Sequence, residues 1–192
     1  FTDSDAQGII WTKIHPAAIM RSLRLACLTE RYSGLWEANC DEYVDLPWSS
    51  SHPSIAMIPS HEAHKTWSPE VGIRSEYARR MALVEVDVLV AMSLNMSLQQ
   101  LLEVYKIYFP VLQKKERNTF YDRNGRIVWI SAKGSENVGL LNRSGKKIGR
   151  SEFNAILSSG ELEVSCDVLD DTMPDGPRSV TRRFVGPFTQ CD

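Results

Sequence analysis

The stretch Glu76-Tyr-Ala-Arg-Arg-Met-Ala-Leu-Val-Glu-Val-Asp-Val-Leu-Val-Ala-Met92, the turn Ser93-Leu-Asn-Met96 and the segment Ser97-Leu-Gln-Gln-Leu-Leu-Glu-Val-Tyr-Lys-Ile-Tyr-Phe-Pro110 lead into Phe120-Tyr-Asp-Arg-Asn-Gly-Arg-Ile-Val-Trp129. Ser75 is placed to cap a helix reaching about residue 92. That helix has so little polar surface that it reads as the central core helix; its valines also permit a buried strand. Asn95 tolerates the left-handed backbone that ends helices. Ser97 with Gln100 three residues on has the form of a capping box, which predicts a second helix over 98–108, ended by Pro110. The period then changes. Asn124-Gly125, flanked by Phe120-Tyr121 and Ile127-Val-Trp129, predicts a β-hairpin.

Outward from this stretch, Pro16 suits the first turn of a helix. An apolar face from Ile19 to Trp36 extends that helix over 16–39. Residues 45–69 are rich in Ser, Pro and His and read as a long loop, the best internal boundary on composition. Residues 131–149 read as a Gly- and Lys-rich loop and 151–157 as a short helix. Residues 162–169 and 179–185 read as two strands around a tight turn. No internal repeat stands out. Helices first and strands second predict an α+β fold. The N-terminal helices pack as an αα core, and an antiparallel β portion follows. The expected division is 1–116, mainly helical, and 117–192, basic and β-rich.

At 192 residues and a net charge of −2, charge alone names no partner. Its distribution is more telling. Between Gln113 and Arg150 there are ten basic residues against three acidic ones. That asymmetry points to an anion-binding face. The expected DNA contacts are Lys114, Lys115, Arg117, Arg123, Arg126, Arg143, Lys146 and Lys147. Cations neutralise phosphates, and the nearby Phe120, Tyr121 and Trp129 either stack on bases or simply pack.

Other chemistry is thin. His61-Glu-Ala-His64 has two histidines at i, i+3, but the zincin spacing is i, i+4 and the prolines nearby disfavour a helix, so no metal is expected. Glu85 and Asp87 fall on different sides of a helix; one paired with an arginine is the structural expectation. The two-helix segment offers few polar side chains to a DNA groove and reads as an ordinary αα-hairpin. No phosphate loop, dinucleotide fingerprint or nucleophile elbow occurs, and no Asn/Asp-Pro-Pro-Tyr/Phe motif. No catalytic residue and no cofactor are therefore expected in this chain. The four cysteines are scattered, as in a reduced, cytoplasmic protein, and apolar runs are too short to span a bilayer. A start without Met suggests a piece of a longer polypeptide.

Several blocks carry a resemblance. Leu23-Arg-Leu-Ala-Cys-Leu-Thr-Glu-Arg-Tyr-Ser-Gly-Leu-Trp36, Arg80-Met-Ala-Leu-Val-Glu-Val-Asp-Val-Leu-Val-Ala-Met92, Tyr108-Phe-Pro-Val-Leu112, Tyr121-Asp-Arg-Asn-Gly-Arg-Ile-Val-Trp129, Lys133-Gly134 and Val138-Gly-Leu140 resemble the C-terminal region of large bacterial fused restriction–modification adenine DNA methyltransferases of type IIG. Gly186-Pro-Phe-Thr-Gln-Cys-Asp192 looks like the start of that family's closing acidic segment. One departure is Ser93-Leu-Asn-Met96, where such proteins tend to carry a Leu-Gly-Leu turn; Asn95 can take the glycine's backbone role. The resemblance implies a non-catalytic DNA-binding, specificity or scaffold region of a restriction–modification or phage-defence methyltransferase. It also implies S-adenosylmethionine bound elsewhere in the parent, and DNA and the rest of the parent as partners. A protein–protein interaction domain within a defence complex is the alternative.

Overall fold

The computed structural model describes residues 13–41, 47–59, 65–172 and 174–191. The chain forms two compact units, Phe1–Phe109 and Pro110–Asp192. Its fold is α+β, with helices mostly in the first unit and two small antiparallel sheets in the second. The histidines of the 61–64 cluster lie outside the described residues, as does most of the expected lead-in before residue 15.

The first unit holds α1 (His15–Ala26), a 3₁₀ turn (Glu30–Tyr32), α2 (Ser33–Asn39), the one-turn α3 (Pro53–Ala56), α4 (Glu76–Ser93) and α5 (Leu98–Tyr108). The single helix expected over 16–39 is broken after Ala26. The cause is tertiary. The carbonyls at the end of α1 are taken by donors distant in sequence. Ile73 N–H donates to Arg24 O (2.9 Å), Arg79 to Leu25 O (3.3 Å), Trp67 Nε1 to Cys27 O (2.9 Å) and Arg74 to Leu28 O (2.5 Å). A helix can end inside a protein when its last carbonyls find other partners. The turn lets Trp36 fold back and bury itself with Met20, Leu23, Cys27, Cys40 and Val71.

Helix α4 starts as expected, with Ser75 accepting from Ala78 N–H. The strand alternative fails, because the whole segment is helical. Its role as an all-round core helix is also corrected. Tyr77, Ala78, Met81, Ala82 and Ala91 are buried, whereas Leu83, Val88, Val90 and Met92 are exposed. Asn95 adopts φ +55° and the Ser97–Gln100 capping box forms, so the turn and the start of α5 follow the local rules.

The expected boundary at 45–69 is not where the units divide. The described residues there are fixed to α4. Ser49 N–H and Oγ both donate to Glu85 at 2.8 Å, and Ser50 Oγ meets the Tyr77 hydroxyl at 2.9 Å. The His52 ring stacks on Tyr77 at 3.9 Å and its Nδ1 caps α3. Segments held by this many bonds do not make linkers.

The second unit contains α6 (Pro110–Glu116), β1 (Thr119–Tyr121), β2 (Ile127–Ile130), α7 (Arg150–Ser159), β3 (Glu163–Asp170) and β4 (Arg178–Val185). Strands β1 and β2 pair antiparallel around the predicted turn, with an irregularity between Phe120 and Tyr121. Strands β3 and β4 pair over eight residues, from Glu163↔Val185 to Asp170↔Arg178. The core gathers Phe120, Val128, Trp129, Leu140, Leu141, Ile148, Phe153, Cys166 and Phe184. Phe153 stacks on Trp129 at 5.4 Å and meets Phe120 edge-on.

The segment expected as a plain loop over 131–149 is part of this core. Leu140 N–H donates to Val128 O, Ile148 N–H to Leu140 O, and Trp129 Nε1 to Ile148 O. Gly139 allows the approach: its φ is +81°, and a Cβ there would run into the Val128 carbonyl. The glycines and lysines of this stretch mask three aliphatic residues that face inward.

Candidate nucleic-acid interface

All eight expected DNA-contacting cations lie in the second unit. The unit is less basic than the window within it. It holds thirteen basic and eleven acidic residues, because acids follow the window in 152–192. The question is which cations are free.

Two of the eight are engaged within the fold. Asp122 is fully buried, and its Oδ2 accepts from Arg126 Nε (3.0 Å) and Nη2 (2.6 Å). The same guanidinium reaches the Arg183 carbonyl and lies over the Phe184 ring at 5.0 Å. A buried carboxylate needs such a partner, so Arg126 is a structural cation. Lys147 Nζ donates to Ile130 O and to Ser135 Oγ (2.8 Å), above the Trp129 ring. Burial lowers the Lys147 pKa. Both side chains therefore help to hold the fold. Arg150 has a similar place. It bonds Asn118 Oδ1 (3.2 Å) and covers Trp129 at 4.8 Å.

The other six, Lys114, Lys115, Arg117, Arg123, Arg143 and Lys146, are exposed. None has a carboxylate partner among the described residues. Lys114, Lys115 and Arg117 stand at the end of α6, where they also suit the negative end of the helix. Arg123 and Arg143 each sit in a tight turn.

Strand β4 adds Arg178, Arg182 and Arg183, which the sequence did not single out. They have partners: Arg178 is 3.7 Å from Asp170, Arg183 3.2 Å from Glu163, and Arg182 donates to Asn137 O. Bonds from Thr172, its hydroxyl first, hold the Asp170 carboxyl below its usual pKa. Glu136 is likewise lowered, by its own N–H and that of Gly134.

Arg143 borders an open groove of about 650 Å³ shared with Asn142, Glu152, Glu161 and Glu163. Of these acids, Glu152 caps α7 through Gly149 N–H and Glu163 holds Arg183. A second groove, of about 580 Å³, runs past Gly145, Asp167, Asp170 and Asp171. Of the six cations only Arg143 lines one of these acidic grooves.

Among the described residues no group of three or more His, Cys, Asp or Glu side chains is arranged to hold a metal ion. No described helix is long and apolar enough to cross a membrane. Comparison with protein families, with curated proteins and with solved structures gives no match.

Proposed function

We propose that this chain is a non-catalytic DNA-binding, specificity or scaffold region of a cytoplasmic DNA adenine methyltransferase from a restriction–modification or phage-defence system. The parent enzyme would bind S-adenosylmethionine through residues outside this chain. One observation carries the DNA contact. Six of the eight expected cations are exposed with no carboxylate partner among the described residues, while the remaining two hold the fold. The blocks that resemble type IIG methyltransferases supply the parent. The six cations provide charge, hence affinity and orientation on the duplex; sequence reading needs contacts to base edges.

A salt titration tests this. Binding of the chain to a labelled duplex should weaken steeply with salt. Replacing Lys114, Lys115 and Arg117 together with Ala should weaken it by a similar factor for every sequence, and flatten the log–log slope by about 0.9 per lost phosphate contact. Salt-independent binding, or none, would sink the proposal.

A second reading, a protein–protein interaction region, is favoured by α5. Seven of its eleven residues are apolar or aromatic and none is buried. Binding by such a face would change little with salt.

A further inference from the structure

We infer that the turns at 122–126 and 142–146 are a matched pair of arms. Arg123 takes a DNA phosphate from the first, and Arg143 with Lys146 takes phosphate from the second. The inference rests on the DNA-binding reading above and names the residues that would carry it.

Twenty residues apart, the chain repeats one local design: Phe120-Tyr-Asp-Arg-Asn-Gly-Arg126 and Leu140-Leu-Asn-Arg-Ser-Gly-Lys146. The structure makes the likeness closer than the letters do. In both, the Gly N–H donates to the Asx carbonyl (2.8 and 2.9 Å), and the Asx N–H donates to the carbonyl four residues on (2.9 and 2.7 Å). In both, the Asx Oδ1 accepts from the N–H two residues on (3.0 and 2.9 Å) and from the N–H four residues on (2.9 and 3.1 Å). The glycines take φ +76° and +73°. Both follow buried residue pairs, Phe120-Tyr121 and Leu140-Leu141, which anchor the turns in the core.

This chemistry requires Asx at the first position and Gly at the fourth. It makes no demand on the second position of such a turn. Both turns nevertheless carry arginine there, exposed and without a carboxylate partner among the described residues. A tip fixed by four hydrogen bonds presents its guanidinium with little backbone left to order on binding. Planar guanidinium groups suit phosphate oxygens.

The two arms differ at their first position, and that difference sets their charge. In the first turn the Asx is Asp122, which takes up Arg126. In the second it is Asn142, which is neutral, so the equivalent cation, Lys146, stays exposed, with no carboxylate partner among the described residues. The first arm offers one cation and the second offers two.

The test uses the full chain and duplex DNA across a salt series, with circular dichroism to confirm folding. Arg123→Gln should lower the slope by about 0.9, and Arg143→Gln with Lys146→Gln by about 1.8. Asn142→Asp should capture Lys146 as Asp122 captures Arg126. It would keep the turn and still lower the slope by about 0.9. This last variant guards against a loss that comes only from misfolding. If the Arg123, Arg143 and Lys146 variants all keep the parent slope while the Lys114/Lys115/Arg117 variant loses it, the paired arms are wrong and DNA binding stands. A loss confined to one turn also overturns the pairing. If the parent chain shows no salt-dependent binding at all, the DNA-binding proposal itself fails.

Discussion

The two units treat charge and apolar surface in opposite ways. The first buries arginines and leaves leucines outside. Arg21 and Arg24 are 1% and 0% exposed, while Leu98 and Ile107 are each 70% exposed. The second buries its aromatics and leaves eleven of its thirteen cations exposed. Hydropathy alone would assign neither pattern. An arginine goes inside where carboxylates and carbonyls need donors. Arg21 meets Glu85 at 2.8 Å, and Arg24 donates to Val71 O and Pro59 O. A leucine stays outside where its face of the helix is left uncovered by the described residues, as in α5. The first unit thus exposes an apolar helix face, and the second exposes most of its cations beside a few aliphatic side chains.

Breaking the core of the second unit should have the largest effect. Phe153 is fully buried between Trp129 and Phe120. Phe153→Ala should cost about 3–5 kcal/mol in chemical denaturation. A loss below about 1 kcal/mol would mean that the aromatics do not organise this unit.

The buried ion pair of the first unit comes next. Arg21→Ala would leave Glu85, 13% exposed, with Ser49 as its one remaining partner among the described residues. The expected loss is about 3 kcal/mol, because a part-buried carboxylate loses its counter-ion. Replacing both partners by apolar residues of similar size should restore much of it. If the double variant is as weak as Arg21→Ala, packing of the arginine stem and its contact with Trp48 outweigh the charge pair.

The smallest effect belongs to α5. Leu98→Gln with Ile107→Gln should move the stability of the isolated chain by no more than about 0.5 kcal/mol, since both side chains face solvent. A larger loss would show that the face is covered in solution and would favour the interaction reading. Light scattering on the same variant would then report whether a second copy covers it.

Local rules carried far in this sequence where they act over a few residues. The Ser97 capping box, the Asn95 turn and the hairpin at Asp122–Gly125 all need only neighbouring atoms to form, and they could be read directly. The α-then-β order was legible for the same reason. The site was legible in part. Charge density located the basic window, but it cannot tell a free cation from a bonded one. Arg126 differs from Arg123 only through Asp122, and Lys147 from Lys146 only through the fold around Trp129. The repeat of the two turns is weak in letters, since Asp in one and Asn in the other accept the same backbone bonds.

What the sequence determined by itself was therefore the set of elements, their caps and turns, and the stretch where positive charge collects. What only the tertiary structure decided was where α1 stops, which aliphatic side chains in 131–149 enter the core, and which of the cations remain exposed. The reason is common to all three. These outcomes depend on hydrogen-bonding or packing partners supplied from a distant part of the chain, such as Ile73 for the Arg24 carbonyl, Val128 for Leu140, or Ile130 for Lys147. No window of neighbouring residues contains those partners.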